Sequence, residues 1–166
     1  MSENKELVRM EVKGLMLDPA SNVPIVILRN KDASEFLPIW IGIFEANSIA
    51  LKLEGVEPPR PMTHDLLANL LTAVDATVNR VVICDLEEST FHAQIQLSSS
   101  SRELAVDARP SDAIALALRV GAPIYVTETV INKAKAADMA NRISDEEKLK
   151  KWLEDVDPDD LGKYTM

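Results

Sequence analysis

The chain has little of several things, and each shortage removes a class of function. It has one cysteine, Cys84, in 166 residues. A single thiol cannot form an internal disulfide, which suits a reducing compartment and an expected cytoplasmic location. Five glycines and no Gly-rich phosphate loop argue against a dinucleotide fold, and neither His-Glu-x-x-His nor Cys-x-x-Cys occurs. Aromatic residues make up 4% of the chain, so the sequence offers no evident platform for stacking single-stranded bases. No stretch approaches the roughly 18 consecutive apolar residues of a membrane span. The start, Met1-Ser2-Glu3-Asn4-Lys5-Glu6, is polar and mixed in charge, unlike a secretory signal. Positive charge is also short: 18 Lys and Arg stand against 27 Asp and Glu, a formal net charge of −9. Residues 141–166 supply only three of those nine charges, so the acidity belongs to the whole chain. Such a protein is repelled by phosphate backbones unless a basic patch or a metal ion intervenes locally.

What remains is an ordinary globular composition, 46% hydrophobic, at a length that fits one domain. Val8, Met10 and Val12 alternate with Arg9, Glu11 and Lys13, the period of a half-buried strand. A turn at 18–22 leads to a strand at Pro24–Leu28, and a polar connection leads to a third at Phe36–Ile41. The period then changes. Ala46, Ile49, Ala50 and Leu53 form the stripe of an amphipathic helix, which Gly55 stops. Three prolines at 58, 59 and 61 keep the next segment irregular. Thr63 reads as the N-cap of a second helix, with Leu66, Leu67, Leu70, Leu71 and Val74 on one face.

The same order then recurs: strands at 78–86, 91–97 and 103–108, a helix from Pro110 to Arg119, and a last helix starting at Thr127. Ile49-Ala50-Leu51 matches Ile114-Ala115-Leu116, and Thr63 matches Thr127, at nearly one offset. The expected fold is therefore α+β: a duplicated unit of three antiparallel strands followed by two helices, with half-repeats at about 7–75 and 77–139 inside a compact domain over 1–140. Ser98 to Ser101 reads as a flexible polar loop. Residues 141–166 read as a C-terminal helix, 145–154, and a tail that packs on the domain or on a neighbouring subunit.

Two polar clusters fall at corresponding places in the halves. One is Arg60-Pro61-Met62-Thr63-His64-Asp65, and the other is Asp107-Ala108-Arg109-Pro110-Ser111-Asp112. Each has a plain structural explanation: Asp65 and Asp112 suit first helical turns, Thr63 and Ser111 suit caps, and Arg109 can pair with Asp107 or Asp112. Together they suit chemistry. His64, Asp65, Asp107 and Asp112 are candidate catalytic residues, with His64 able to move protons near neutral pH. Asp107 and Asp112 are candidate ligands for Mg²⁺ or Mn²⁺. Arg60 and Arg109, with Thr63 and Ser111, are candidate substrate-binding groups, the arginines gripping phosphate oxygens. His92, on the polar side of an alternating strand, reads as solvent-facing. Cys84 reads as packed core, and Trp40 as core or a subunit contact.

Three stretches in order resemble the bifunctional nuclease (DNase/RNase) domain family. They are Leu37-Pro38-Ile39-Trp40-Ile41-Gly42 with Glu45-Ala46, then Pro59-Arg60-Pro61-Met62-Thr63-His64-Asp65-Leu66-Leu67, then Val106 to Ala117 with Asp107-Ala108-Arg109-Pro110-Ser111-Asp112 at its centre. Trp152-Leu153-Glu154 and Gly162-Lys163-Tyr164 also resemble the family's close. The resemblance covers roughly residues 6–140 and implies phosphodiester hydrolysis of DNA and RNA with little sequence preference. The alternative from another class is a non-enzymatic oligomeric binding or regulatory module. A homo-oligomer, most simply a dimer, is expected, because the helix at 110–120 is apolar all round and needs cover on every side.

Overall fold

The computed structural model describes residues 5–141. The expected helix at 145–154 and the tail after it lie outside the described residues. Eleven elements follow one another: β1 (Leu7–Leu17), β2 (Pro24–Asn30), β3 (Phe36–Trp40), α1 (Ile43–Leu53), α2 (Thr63–Ala73), β4 (Ala76–Glu87), β5 (Thr90–Ser99), β6 (Arg102–Ala108), α3 (Pro110–Val120), β7 (Ile124–Thr127) and α4 (Glu128–Asn141). The α+β class expected from the alternation of periods is what the chain adopts.

The strands form one sheet in the order β3-β2-β1-β7-β4-β5-β6. Two antiparallel meanders thus flank a short central strand. β7 was not expected from the sequence. Its four residues, Ile124 to Thr127, pair antiparallel with β1 through Val8↔Val126 and parallel with β4 through Val82↔Tyr125. It is buried at Ile124 and Val126. Four residues are too few for a period to show. Because β7 lies between α3 and α4, the second half runs strand-strand-strand-helix-strand-helix, and a strict repeat of five elements does not describe the fold.

Local chemistry explains most boundaries. Gly55 follows α1 at φ +67°, a left-handed turn that favours glycine. Pro110 occupies the first position of α3, where its missing N–H costs nothing. Thr127 ends β7 and caps α4, its Oγ1 accepting from the Val130 amide at 3.3 Å. Thr63, by contrast, is not a cap but the first residue of α2. The Asp65 carboxylate does the work instead, accepting from the Met62 amide at 2.9 Å. Ser98–Ser101 is not a loose loop either. β5 runs to Ser99, and Ser100 and Ser101, at φ +48° and +67°, make a tight two-residue turn into β6.

The core lies between the sheet and the helices, around Leu28, Leu37, Ile49, Val81, Ile83, Ile114 and Leu116. α3 is its centre. Ala113 to Ala117 are at most 1% exposed, because α1, α2, β4 and β5 all pack on that helix. Its all-round apolar character is therefore satisfied within one chain, and the expectation of an oligomer draws no support from α3. Cys84 is half-buried in β4, where burial pushes its thiol pKa up and its Sγ–H points at the His92 carbonyl. His92 is half-buried, and Trp40 is exposed with its indole N–H donating to Asp18. No helix among the described residues is long and apolar enough to cross a membrane.

Candidate active site at the start of the third helix

The starts of α1, α2 and α3 meet. α1 contributes Glu45 and Ser48, α2 contributes His64 and Asp65, and α3 contributes Asp112, with Arg109 just before its first turn. His64 is buried among them. Its Nε2 lies 2.9 Å from Asp112 Oδ1 and its Nδ1 lies 2.7 Å from Ser48 Oγ. An ionised Asp112 can only accept, so Nε2 carries a proton. Nδ1 then accepts from the Ser48 hydroxyl when the ring is neutral and donates to it when the ring is charged.

Asp112 is held from its other side by Arg109, whose Nε donates to Oδ2 at 2.9 Å. Arg109 Nη2 donates to Glu45 Oε1 at 2.8 Å. Burial alone would raise the Asp112 pKa; the hydrogen bonds and charges of Arg109 and His64 outweigh it and leave the carboxyl below its ordinary value. The result is a chain of contacts, Glu45–Arg109–Asp112–His64–Ser48. Arg109 is its most open member, with a side chain 63% exposed against 18% for Glu45 beside it. Its Nη1 has no partner among the described residues.

A second network lies one step inward. Arg119, in the last turn of α3, donates to Asp65 Oδ1 at 2.7 Å, to the Ala115 carbonyl at 2.9 Å and to the Ser48 carbonyl at 3.0 Å. Its side chain is 6% exposed. The Met62 amide is the main cause holding the Asp65 carboxyl below its usual pKa, and Arg119 adds to it. Consecutive residues of α2 thus reach opposite ways along α3: His64 to Asp112, and Asp65 to Arg119 two turns later. Ser48 joins the networks, one through its hydroxyl and the other through its carbonyl.

Of the residues singled out in the sequence, the structure brings together His64, Asp65, Arg109 and Asp112. It does not bring Asp107. β6 pairs with β5 through Ala93↔Ala108 and Gln94↔Asp107. Ala108 packs on the helix-covered core, so Asp107, one residue earlier, points from the opposite face of the sheet. Arg60 is exposed in the connection between α1 and α2 with no ion pair among the described residues, and Thr63 is exposed at the start of α2. Ser111 is buried in the first turn of α3 and caps nothing, since Arg109 holds the cap position. Ser48 and Arg119 were not among the expected site residues, and Glu45 stood only in a stretch that carries the family resemblance. Ser48 lay off the Ala46, Ile49, Ala50 and Leu53 stripe and gave no signal, whereas Arg119 closed an otherwise apolar helix. A polar group at such a position calls for a partner, and that was the available signal.

Gly42 shapes the outer rim. Glu45 folds back so closely over it that any Cβ at position 42 would collide with the carboxylate. The glycine therefore sets where Glu45 meets Arg109. Among the described residues, no three His, Cys, Asp or Glu side chains stand close enough to hold a metal ion. Both oxygens of Asp112 are already engaged, and Asp107 is on the far face.

Comparison with known proteins agrees with this arrangement of motifs. The family model of the bifunctional nuclease domain matches residues 26–139, which include α1, α2, α3 and the whole site. The chain belongs to the bifunctional nuclease domain family. An uncharacterized protein of Mycobacterium tuberculosis is 43% identical over 161 residues, covering 92% of this chain and 96% of that protein. Bifunctional nuclease 1 of Oryza sativa subsp. indica and Bifunctional nuclease of Oryza minuta are each 25% identical over 133 residues. Those matches cover 77% of this chain but 40% of the rice proteins, so most of each plant protein has no counterpart here.

Proposed function

We propose that this protein is a nuclease that hydrolyses phosphodiester bonds of DNA and RNA with little sequence preference, and that the Arg109–Asp112–His64 chain does the chemistry. The observation that carries this reading is the geometry around Asp112: a carboxylate held on one side by a buried histidine and on the other by an exposed arginine with free donors. Family membership and the names of the rice relatives support the reaction class.

In this reading Arg109 holds a non-bridging phosphate oxygen through Nη1 and offsets the charge that grows in the transition state. Asp112 orients a water with the lone pair that Oδ1 keeps beyond its bond to His64, and accepts its proton as the new P–O bond forms and the bond to the leaving oxygen breaks. His64 donates to Asp112 from Nε2, and Ser48 fixes the ring from Nδ1. The proton then passes to the leaving oxygen. Thr63 and Arg60 lie close in sequence to His64 and remain candidates for contacts along the strand. A resident Mg²⁺ or Mn²⁺ does not fit this donor set unless Arg109 is displaced from Glu45 and Asp112, so no step here is routed through a metal.

A second reading has one observation in its favour. The carboxylates of the site are all paired within it, as in a brace that locks three helix starts together. That is what a non-enzymatic binding or regulatory module would show. The deciding experiment is degradation of plasmid and RNA by highly purified protein, with Mg²⁺, with Mn²⁺ and with chelator, alongside His64→Ala. Activity that co-elutes with the protein and disappears in the variant supports the nuclease. Activity that elutes elsewhere, or survives in the variant, supports the brace. Light scattering on the same sample tests the expected homo-oligomer against a monomer of 18.3 kDa.

A further inference from the structure

The sequence has few aromatic residues, and one of them stands where a stacked base would serve this site. Phe44 is 72% exposed, the highest value among the exposed large apolar side chains of the described residues. It sits in the first turn of α1, next to Glu45, which binds Arg109. It also lies one turn before Ser48, which binds His64. Residues four apart on a helix share a side, with Cβ atoms about 5–6 Å apart. The Phe44 ring therefore rises at the rim of the Glu45–Arg109–Asp112–His64–Ser48 chain, on the side from which Ser48 meets α2. Nothing in the fold needs an aromatic ring there, since Phe44 takes no part in the core. The same turn of α1 holds Glu45, which binds Arg109, and Arg109 is exposed with its Nη1 unpartnered among the described residues.

An exposed ring on the helical turn that anchors an exposed guanidinium matches the two halves of a nucleotide, a flat base and an anionic phosphate. We propose that Phe44 is a stacking platform for an unpaired nucleobase of the strand whose phosphate meets Arg109, which makes single-stranded nucleic acid, DNA or RNA, the preferred substrate. The proposal rests on the nuclease reading and narrows it. A base inside a duplex is stacked on both faces and cannot offer one to Phe44. Stacking is tolerant of base identity because every base has a π-face, which agrees with cleavage that shows little sequence preference.

The test is a binding titration of the full chain with a short fluorescently tagged single-stranded oligonucleotide, the same oligonucleotide made with abasic residues, and its duplex. Phe44→Ala is expected to weaken binding of the base-bearing strand about tenfold, from the usual worth of one stacked base. The penalty should shrink several-fold on the abasic strand, and Phe44→Trp should restore affinity with a tryptophan emission that the strand quenches. Equal penalties on base-bearing and abasic strands, or wild-type affinity in Phe44→Ala, would overturn the platform. So would a duplex bound as tightly as the single strand. Titrations do not require turnover, so an inactive protein would refute the nuclease reading while still deciding the platform. Sedimentation of Phe44→Ala at micromolar concentration reads the rival occupant. A fall in mass relative to wild type would mean that Phe44 meets a second copy of the chain, and would also overturn the proposal.

Discussion

Helix α3 carries an arginine at each end, and the two differ in nearly everything but their chemistry. Arg119 is sealed in and spends its donors on Asp65 and on two backbone carbonyls from α1 and α3. Arg109 is open to solvent, shares itself between Glu45 and Asp112, and keeps donors free. A buried cation with every partner inside the protein is a structural device, since removing it strands an uncompensated charge. An exposed cation whose local pairs are screened by water contributes little to stability and is free to meet a ligand. One helix thus shows which half of the cluster holds the fold and which half faces solvent.

The contrast should be widest in stability. Arg119→Ala is expected to cost about 3 kcal/mol, the low end for breaking a buried pair because Asp65 is partly exposed. Two carbonyls would also lose their donor. Arg109→Ala should cost under about 1 kcal/mol. Urea denaturation of both variants checks the difference, and equal losses would erase the distinction between the two ends.

Activity should reverse the order. Arg109→Lys keeps the charge but not the fork that grips Asp112, Glu45 and a phosphate together. It is expected to lower phosphodiester cleavage by about 100-fold, the scale for losing one charge-stabilising donor, while its melting temperature stays within about 4 °C of wild type. Cleavage within a few-fold of wild type would remove Arg109 from the chemistry.

Much of this arrangement was legible in the sequence, though unevenly. The meanders, α1, α2 and the Pro110 start of α3 follow from periods of two and 3.6 and from proline and glycine. His64, Asp65, Arg109 and Asp112 stood out because polar residues clustered at two helix starts. β7 was hidden by its four-residue length. Asp107 misled because its distance in sequence from Asp112 is short, whereas the alternation of β6 turns it to the far face of the sheet. Ser48 and Arg119 were missed because their partners are 16 and 54 residues away, and no local pattern records such a pairing. No period or motif in the sequence marks Phe44, since exposure is set by what the rest of the chain fails to cover.

Acid sharpens the comparison further. Asp65 and Asp112 both have folded-state pKa values below their ordinary ones. Their contribution to stability is thus complete above an unfolded value of about 3.9 and is lost as the pH falls through the lower folded values. Between about pH 5 and pH 2, Asp65→Asn and Asp112→Asn should each flatten the loss of stability that wild type shows. A wild-type-like slope in both variants would mean that neither carboxylate is held as described. The smallest effect is expected from Gly42→Ala. The added methyl would push the Glu45 carboxylate off Arg109 and change stability by less than about 1 kcal/mol. Cleavage should fall several-fold as Arg109 loses one of its two anchors, and an unchanged rate would show that Glu45 does not position it.

The central claim, that the open end of α3 is an active site and not only a brace, is tested most directly by the cleavage rate of Asp112→Asn per folded molecule. Asparagine fills the same space; its oxygen can still accept from Arg109, and its NH2 can donate to His64 Nε2 once the ring proton sits on Nδ1 and faces Ser48, but it cannot take a proton from water. The account predicts a loss of at least about 100-fold with the circular dichroism spectrum and a cooperative melting transition retained. Cleavage at the wild-type rate by fully folded Asp112→Asn would contradict it.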